Sequence, residues 1–267
     1  MTYKQLHDDI KKRLKDDAGA YCFYLLDKPL PLIGFDEGDV PEETERAHAA
    51  YSERIISGEP LQYVFGYTYF YGLRLDCSPG VLIPRPDTEI LVEEAVKTLP
   101  RNAFFADLCC GSGCIAAAVL SARPDTEALC LDISDKALDL TETNLKKCGC
   151  SGRAEIKRFD VFGGWDGLPT LDCILCNPPY INAADMEKLP ENVRREPETA
   201  LYGGKDGLDF YRRIISASEG RFNSGTHIIF EIGYDQGDAL RGLCPGCVIK
   251  KDYSGNDRIC IIDKRSQ

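Results

Sequence analysis

The stretch Ala103-Phe-Phe-Ala-Asp-Leu-Cys-Cys-Gly-Ser-Gly-Cys-Ile-Ala116 decides the fold, because an apolar strand-sized run passes through a glycine turn into an apolar helix. From about residue 86 onward, strand-like and helix-like stretches alternate, with predicted helices at Ile115–Ala122 and Lys136–Lys147. Such alternation requires βαβ crossovers, so it predicts an α/β fold with a doubly wound, mostly parallel, seven-stranded sheet. The predicted strands are Ala103–Leu108, Ala128–Ile133, Ala154–Phe159, Leu171–Cys176, Thr226–Ile232, Val248–Lys251 and Arg258–Ile262.

The last two predicted strands are joined by a short turn, Ser254-Gly255-Asn256, rather than by a helix. A connection of this length suits a hairpin and is too short for a parallel crossover. We therefore expect one late strand of the sheet to run antiparallel.

The chain before residue 86 has a different pattern and predicts two further parts. Residues 1–60 carry apolar positions at helical spacing and are predicted to form a small helical domain that docks a substrate. Residues 61–85 are predicted to be a linking β-hairpin, since from Gln62 to Asp76 the apolar and aromatic positions repeat every second residue. An aromatic-lined edge of the main sheet is the alternative for this segment. Residues 86–267 then form the α/β domain.

Composition limits the class of protein. The 267 residues are 43% hydrophobic and 28% charged, which excludes a disordered or collagen-like chain. The net charge is −11, and residues 1–60 share the excess of acid. Binding to DNA or RNA releases counterions through clustered Lys and Arg, so this composition argues against a strong nucleic-acid binder and leaves room only for a small basic groove.

No apolar run approaches the roughly 20 residues that a membrane helix needs. Met1–Asp17 alternates Lys and Asp and lacks the apolar core of a secretion signal. We therefore expect a cytoplasmic protein with no membrane partner.

Thirteen cysteines suggest a disulfide scaffold, but their odd number and their positions in apolar runs indicate small core residues in a reducing compartment. Cys173 and Cys176 lie in one predicted strand, where residues three apart face opposite sides. Cys244-Pro-Gly-Cys247 is predicted to be a turn between a helix and a strand, with a redox or zinc pair as the alternative. We expect no bound metal.

The carboxyl ends of the first strands carry the features of a nucleoside site. Gly111 and Gly113 allow a sharp turn and a close ligand, and Asp132, which ends the second strand, can accept hydrogen bonds from ribose hydroxyls. Dinucleotide enzymes and S-adenosylmethionine enzymes share this pattern. An acid at the end of the first strand, Asp107, would repel a pyrophosphate and favour a cationic amino-acid ligand, hence S-adenosylmethionine.

The third strand is followed by Asp160 and Val161. Asp160 is a candidate acceptor for an adenine amino group, with Val161 or Phe162 packing on the ring. A simple helix cap is the alternative for this aspartate.

The fourth strand opens into Asn177-Pro178-Pro179-Tyr180, the most informative string in the chain. The two prolines make a rigid turn and remove two backbone donors, which leaves carbonyl oxygens as acceptors. With the Asn177 oxygen and the aromatic face of Tyr180, this corner suits a planar NH2 group beside a methyl donor. The predicted catalytic residues are Asn177, Pro178 and Tyr180, and catalysis would come from alignment and desolvation rather than from a strong base.

These motifs together resemble the PrmC/HemK family of S-adenosylmethionine-dependent protein-(glutamine-N5) methyltransferases, and the resemblance spans almost the whole chain. The matching segments are Pro60-Leu-Gln-Tyr-Val-Phe-Gly66, Phe70-Tyr-Gly72, Val81-Leu-Ile-Pro-Arg-Pro-Asp-Thr-Glu89, Asp107–Gly113, Asn177–Tyr180, Glu196–Gly207, Tyr211-Arg212 and Glu231-Ile-Gly233.

The resemblance implies a class I S-adenosylmethionine methyltransferase fold, which is Rossmann-like, and peptide chain release factors as protein substrates. It implies that the glutamine of their Gly-Gly-Gln motif is held by Asn177, Pro178, Pro179 and Tyr180. The cofactor contacts that it implies are Cys109, Cys110, Gly111, Ser112, Gly113, Asp132, Val161 and Asn177. Cys109 departs from the family pattern, because this position is often glycine.

Three other functions remain as alternatives. A glutamine methyltransferase acting on a ribosomal protein would need the same site. An adenine-N6 DNA methyltransferase also needs an Asn-Pro-Pro-Tyr corner, but it would require a basic cleft to hold DNA with a flipped base. A non-catalytic adaptor that binds the cofactor would not need Asn177. For the oligomeric state, we expect a monomer.

Overall fold

A computed structural model describes residues 1–218 and 227–263 of the chain. The chain divides into two compact units. The first contains Met1–Gly66 together with Pro190–Arg195, and the second contains Tyr67–Leu189 and the residues from Glu196 onward.

The first unit is helical, as the sequence predicts. Thr2 caps the first helix by accepting from the Gln5 backbone N–H while the Gln5 side chain accepts from the Thr2 N–H. The apolar positions Leu6, Ile10 and Leu14 are buried along one face. The helices up to residue 66 are α1 (Tyr3–Leu14), α2 (Ala18–Leu26), α3 (Leu30–Ile33), α4 (Glu42–Ile56) and α5 (Leu61–Phe65).

Residues Leu61–Phe65 are helical, whereas the alternation of apolar and aromatic residues predicts a strand from Gln62 onward. Pro60 precedes the first turn of this helix, and Gly66 ends it in a left-handed conformation at φ +78°. These two end signals select a helix over alternation in so short a segment.

The second unit begins with a hairpin of β1 (Tyr67–Phe70) and β2 (Leu73–Asp76). The hairpin prediction is confirmed, and the alternative of an edge strand of the main sheet is wrong, because the two strands form a sheet of their own. The remaining strands are β3 (Phe104–Leu108), β4 (Glu127–Asp132), β5 (Ala154–Arg158), β6 (Cys173–Cys176), β7 (His227–Glu231), β8 (Val248–Lys251) and β9 (Asp257–Asp263).

These seven strands form one sheet in the order β5-β4-β3-β6-β7-β9-β8. The pairs from β5 to β7 are parallel, and β9 runs antiparallel to both β7 and β8. The predicted doubly wound, mostly parallel sheet with one late antiparallel strand is therefore confirmed. Thr226, the predicted first residue of the fifth strand, lies outside the described residues.

Helices cover both faces of the sheet. On one face α6, α7 and α8 pack against alternate strand residues such as Phe105, and on the other face α11 and α12 pack against residues such as Ala106. The helices from residue 67 onward are α6 (Glu89–Thr98), α7 (Cys114–Ala122), α8 (Asp135–Lys147), α9 (Ala183–Met186), α10 (Glu191–Arg194), α11 (Asp209–Ser218) and α12 (Gly237–Leu243). Of these, α10 belongs to the first unit.

All thirteen cysteines lie in the described part of the chain and carry free thiols. Cys244-Pro-Gly-Cys247 forms the predicted turn between α12 and β8, with the Cys247 N–H donating to the Cys244 carbonyl across 3.1 Å. Within residues 1–218 and 227–263, no three His, Cys, Asp or Glu side chains group as metal ligands. No helix in these ranges is long and apolar enough to span a membrane.

Candidate active site

The chain crosses from one half of the sheet to the other between β3 and β6, and a cavity of about 410 Å³ opens at the carboxyl ends of these strands. This is the place where doubly wound sheets bind ligands, and the volume falls within the range of small-molecule sites. The cavity is lined by the ends of β3, β4 and β6, by the segment after β5 and by Gly80–Arg85.

The turn after β3 brings backbone to the cavity. Gly111 adopts φ +56° and lines the cavity, with ordinary clearance around a Cβ placed there. Gly113 adopts φ +73° and faces α8 instead, where a Cβ would lie 2.8 Å from Thr141 Cγ2. Gly111 therefore admits a ligand, while Gly113 admits the close packing of a helix. The predicted contacts Cys109, Cys110 and Ser112 also line the cavity.

Cys109 lies at the position that is often glycine in the family pattern, and its backbone is left-handed at φ +59°. A side chain with a Cβ is strained there by about 1–2 kcal/mol. We expect Cys109→Gly to be more stable than Cys109→Ala by about 1 kcal/mol in urea unfolding, since both variants lose the thiol and only alanine keeps the strain.

Cys148 is the matched control for this comparison, because it is also half-buried but has an ordinary φ of −82°. There the alanine variant should be the more stable one, since glycine adds entropy to the unfolded chain. The same order of stability at both positions would show that Cys109 is not strained.

Asp132, at the end of β4, holds the turn and lines the cavity. Its Oδ2 accepts from the Gly111 N–H and its Oδ1 from the Ser134 N–H, both at 2.9 Å. Burial raises the pKa of this carboxyl above its usual range, while these backbone hydrogen bonds oppose the shift. Each carboxylate oxygen has a further lone pair that can accept a ligand hydroxyl.

Asp107 does not line the cavity, contrary to the expectation that it meets a cationic ligand. It is fully buried on the face of β3 that α7 covers, and its Oδ2 accepts from the Ala116 N–H at 3.0 Å. Among the described residues its Oδ1 has no hydrogen-bond partner, and burial raises its pKa to about 7. The alternation of the strand directs this side chain under the helix, which the sequence position alone does not show.

Asp160 and Val161 line the cavity after β5, as does Phe162. Oδ1 of Asp160 accepts from the Phe162 N–H at 2.9 Å, and this bond fixes the turn. Phe162 packs edge-to-face on Phe210 with ring centroids 4.9 Å apart. The apolar side of the cavity, where the sequence predicts an adenine ring, therefore contains two aromatic rings and Val161.

Asn177 follows β6 directly and lines the same cavity. Its Nδ2 donates to the Thr88 Oγ1 across 3.2 Å. Thr88 lies at the end of a 3-10 turn (Pro86–Thr88) before α6 and is 1% exposed. The structure thus brings Asn177, Asp132 and Gly111 to one cavity from three separate strand ends.

The rest of the Asn-Pro-Pro-Tyr corner divides into two groups. Pro179 lines the cavity, whereas Pro178 and Tyr180 do not. The Tyr180 carbonyl accepts from Gln236 Nε2 at 3.0 Å, so this acceptor is already occupied within the protein. A Cβ on Gly203 would lie 2.6 Å from the Pro179 carbonyl oxygen, which shows how closely the segment after residue 200 holds the corner.

Parts of the cavity come from remote segments that the sequence patterns do not connect with it. Arg85 lines the cavity and forms an ion pair with the buried Glu196. Glu196 Oε2 also accepts from the Ile83 N–H at 2.9 Å. Both segments could have been found as candidates, because the motifs Val81–Glu89 and Glu196–Gly207 match the family pattern. Nothing in the residues themselves predicts that the two segments are in contact.

The residues present fit an adenosyl ligand with a cationic sulfur better than a dinucleotide. The carboxylates of Asp132 and Asp160 line the cavity, and the Arg85 charge is paired with Glu196. A pyrophosphate would therefore face carboxylates, with no unpaired cation among the described lining residues to neutralise it. Ribose hydroxyls would find hydrogen-bond acceptors there, and an adenine ring would find apolar side chains.

Comparisons with known proteins agree with this arrangement. The family described as "Methyltransferase small domain" matches residues 86–201. The release factor glutamine methyltransferase of Geobacter sulfurreducens is 37% identical over 240 residues, covering 88% of this chain and 83% of that protein. The enzyme of the same name from Aquifex aeolicus is 32% identical over 272 residues, covering 98% and 96%.

Solved structures show the same fold at low sequence identity. The hMettl16 catalytic domain in complex with MAT2A 3'UTR hairpin 1 superimposes with a TM-score of 0.55 at 13% identity, covering 86% of this chain and 83% of that one. The ribosomal protein L11 methylase from Lactobacillus delbrueckii gives 0.50 at 20% identity, covering 70% and 83%.

Proposed function

Since this chain belongs to the release factor glutamine methyltransferase family, we propose that it methylates the side-chain amide nitrogen (N5) of a glutamine in peptide chain release factors. The observation that carries this proposal is the cavity that Asn177, Asp132 and Gly111 share at the carboxyl ends of the parallel strands. The target is the glutamine of the Gly-Gly-Gln motif, and the methylation supports translation termination.

The methyl donor is S-adenosylmethionine, which when bound supplies a methyl group activated by a positively charged sulfur. Asp132 would hold the ribose hydroxyls, and the backbone at Cys109–Ser112 would lie against the amino-acid part. Asp160 and Val161 would meet the adenine. These assignments rest on the residues that line the cavity and on the hydrogen-bond capacity that they retain.

Asn177 would orient the target amide. Because its Nδ2 is engaged by Thr88, its Oδ1 is the end left to accept a hydrogen bond from the glutamine NH2. A backbone carbonyl of the rigid Pro178-Pro179 turn would accept a hydrogen bond from the second N–H of this NH2 group. Tyr180 would pack against the turn from the side of the core. An amide nitrogen is a weak nucleophile, so alignment and exclusion of water have to supply most of the rate enhancement.

The partner protein and the compartment follow from this function. We propose that the helical first unit docks the release factor and that the enzyme acts in the cytoplasm, where release factors work. The division into domains 1–60, 61–85 and 86–267 stays a prediction, as does the monomeric state.

The proposed activity can be tested directly with purified release factor and S-adenosylmethionine. We expect mass spectrometry to find one added methyl group on the glutamine of the Gly-Gly-Gln motif. A release factor with glutamate at that position is the matched control and should gain none. Methyl transfer to DNA or to a ribosomal protein, with none to release factor, would contradict the proposal.

A further inference from the structure

The two ends of the Asn177 side-chain amide differ in chemistry but not much in size. Oδ1 accepts hydrogen bonds and Nδ2 donates them. Either end would fit the space beside the cavity, but only Oδ1 suits a target that presents an NH2 group. A flipped Asn177 would place donor against donor and leave both without a partner.

Thr88 decides which end faces the cavity. Its Oγ1 receives the hydrogen bond from Asn177 Nδ2 at 3.2 Å. A hydroxyl has one proton, so Thr88 can stay a pure acceptor toward Asn177 only when that proton is donated to another group.

Glu231, the last residue of β7, is the group that accepts the hydrogen bond from the Thr88 hydroxyl. It is 1% exposed, and a hydrogen bond from Thr88 lowers the pKa of its carboxyl against the effect of burial. An ionised carboxylate only accepts, so the hydrogen bonds run from Asn177 to Thr88 and from Thr88 to Glu231. Burial raises the Glu231 pKa to about 7. Among the described residues, Oε2 of Glu231 has no hydrogen-bond partner. If Glu231 is protonated on Oε2, its other carboxyl oxygen can still accept the hydrogen bond from Thr88.

The hydroxyl of Thr88 does not cap the helix that starts beside it. Thr88 occupies the N-cap position of α6, where threonine commonly accepts from the first backbone N–H groups. Here the side chain makes no such capping bond. The helix start therefore does not explain a buried threonine at this position.

We propose that Thr88 and Glu231 are positioning residues that lock Asn177 in the rotamer that presents Oδ1 to the substrate amide. The identity of that amide rests on the proposed function, whereas the locked rotamer does not. Three segments that are distant in the chain would then determine which end of the Asn177 amide faces the cavity.

Thr88→Val tests the lock, because valine keeps the shape of threonine and removes the hydroxyl. We expect kcat for release factor methylation to fall about tenfold, the value of one hydrogen bond, with the KM and the dissociation constant of S-adenosylmethionine unchanged. Thr88→Ser should restore kcat to within about twofold, since it keeps the hydroxyl. Thr126→Val is the matched control: Thr126 is equally buried, but its hydroxyl bonds the Arg123 carbonyl outside the cavity lining.

A second measurement does not depend on turnover. The side-chain NH2 signal of Asn177 in the NMR spectrum, assigned by its loss in Asn177→Ala, should exchange its protons with solvent faster in Thr88→Val than in the wild type. Thr88→Ser and Thr126→Val should leave this exchange unchanged. Glu231→Gln should speed it up and lower kcat, because a glutamine NH2 can donate to Thr88 and so release the threonine proton toward Asn177.

The outcomes separate the two proposals. If Thr88→Val folds and keeps both its kcat and the slow exchange of Asn177, the lock is refuted; Thr88→Ala serves if the valine variant does not fold. If the exchange responds as expected but the wild type transfers no methyl to release factor, the lock stands and the proposed function fails.

Discussion

Asn177→Ala should lower the rate of release factor methylation by about a thousandfold, the upper range for removing one preorganised polar contact to the reacting group. Alanine removes the Oδ1 that is proposed to accept from the target amide and leaves the rest of the corner in place. The contact with Thr88 is also lost, but the proposed cofactor contacts at Asp132 and Gly111 come from other strands.

The effect should therefore appear in kcat and not in cofactor binding. Calorimetry is expected to give the same affinity for S-adenosylmethionine in Asn177→Ala as in the wild type. Asn256→Ala, an exposed asparagine in the turn between β8 and β9, is the matched control and should keep full activity. A turnover within a few-fold of the wild type would remove Asn177 from the reaction.

The second large effect is expected for Asp132→Ala, which should weaken S-adenosylmethionine binding by about a hundredfold or more. The carboxylate is proposed to accept from the ribose, and hydrogen bonds to a charged group contribute about 1.5–3 kcal/mol each. The variant also leaves the Gly111 N–H without its acceptor, so the turn that the ligand approaches becomes less ordered.

Calorimetric titration with S-adenosylmethionine and with the product S-adenosylhomocysteine measures this loss without turnover. Asp139→Ala removes an equal charge from the exposed side of α8 and should bind both ligands as the wild type does. Equal affinity for Asp132→Ala and the wild type would show that another group holds the ribose.

Most of the fold could be predicted from the sequence, because the alternation of apolar runs and helical stretches is a local signal. The boundaries of β8 and the turn at Cys244–Cys247 agree with the prediction, and the others shift by a few residues. The helix Leu61–Phe65 was missed because a five-residue segment shows too little of either period, so its end residues decide.

The candidate site could be predicted only where its residues follow a strand directly. Asp132 and Asn177 lie at strand ends, and a parallel sheet brings such ends to one edge. Asp107 also ends a strand, yet its side chain points under α7, because the face that a strand residue occupies depends on the register of packing. Tyr180 follows the strand in an irregular segment, and it packs against the core instead of lining the cavity.

The order of residues determined the sheet, the glycine turn and the proline corner, since each depends on backbone preferences within a few positions. Only the tertiary structure decided which acids face the ligand and which end of the Asn177 amide is free. The first choice depends on the face of the sheet that each acid occupies, and the second on Thr88 and Glu231, which reach Asn177 from segments far apart in the chain. No local preference specifies which distant side chain supplies a hydrogen bond.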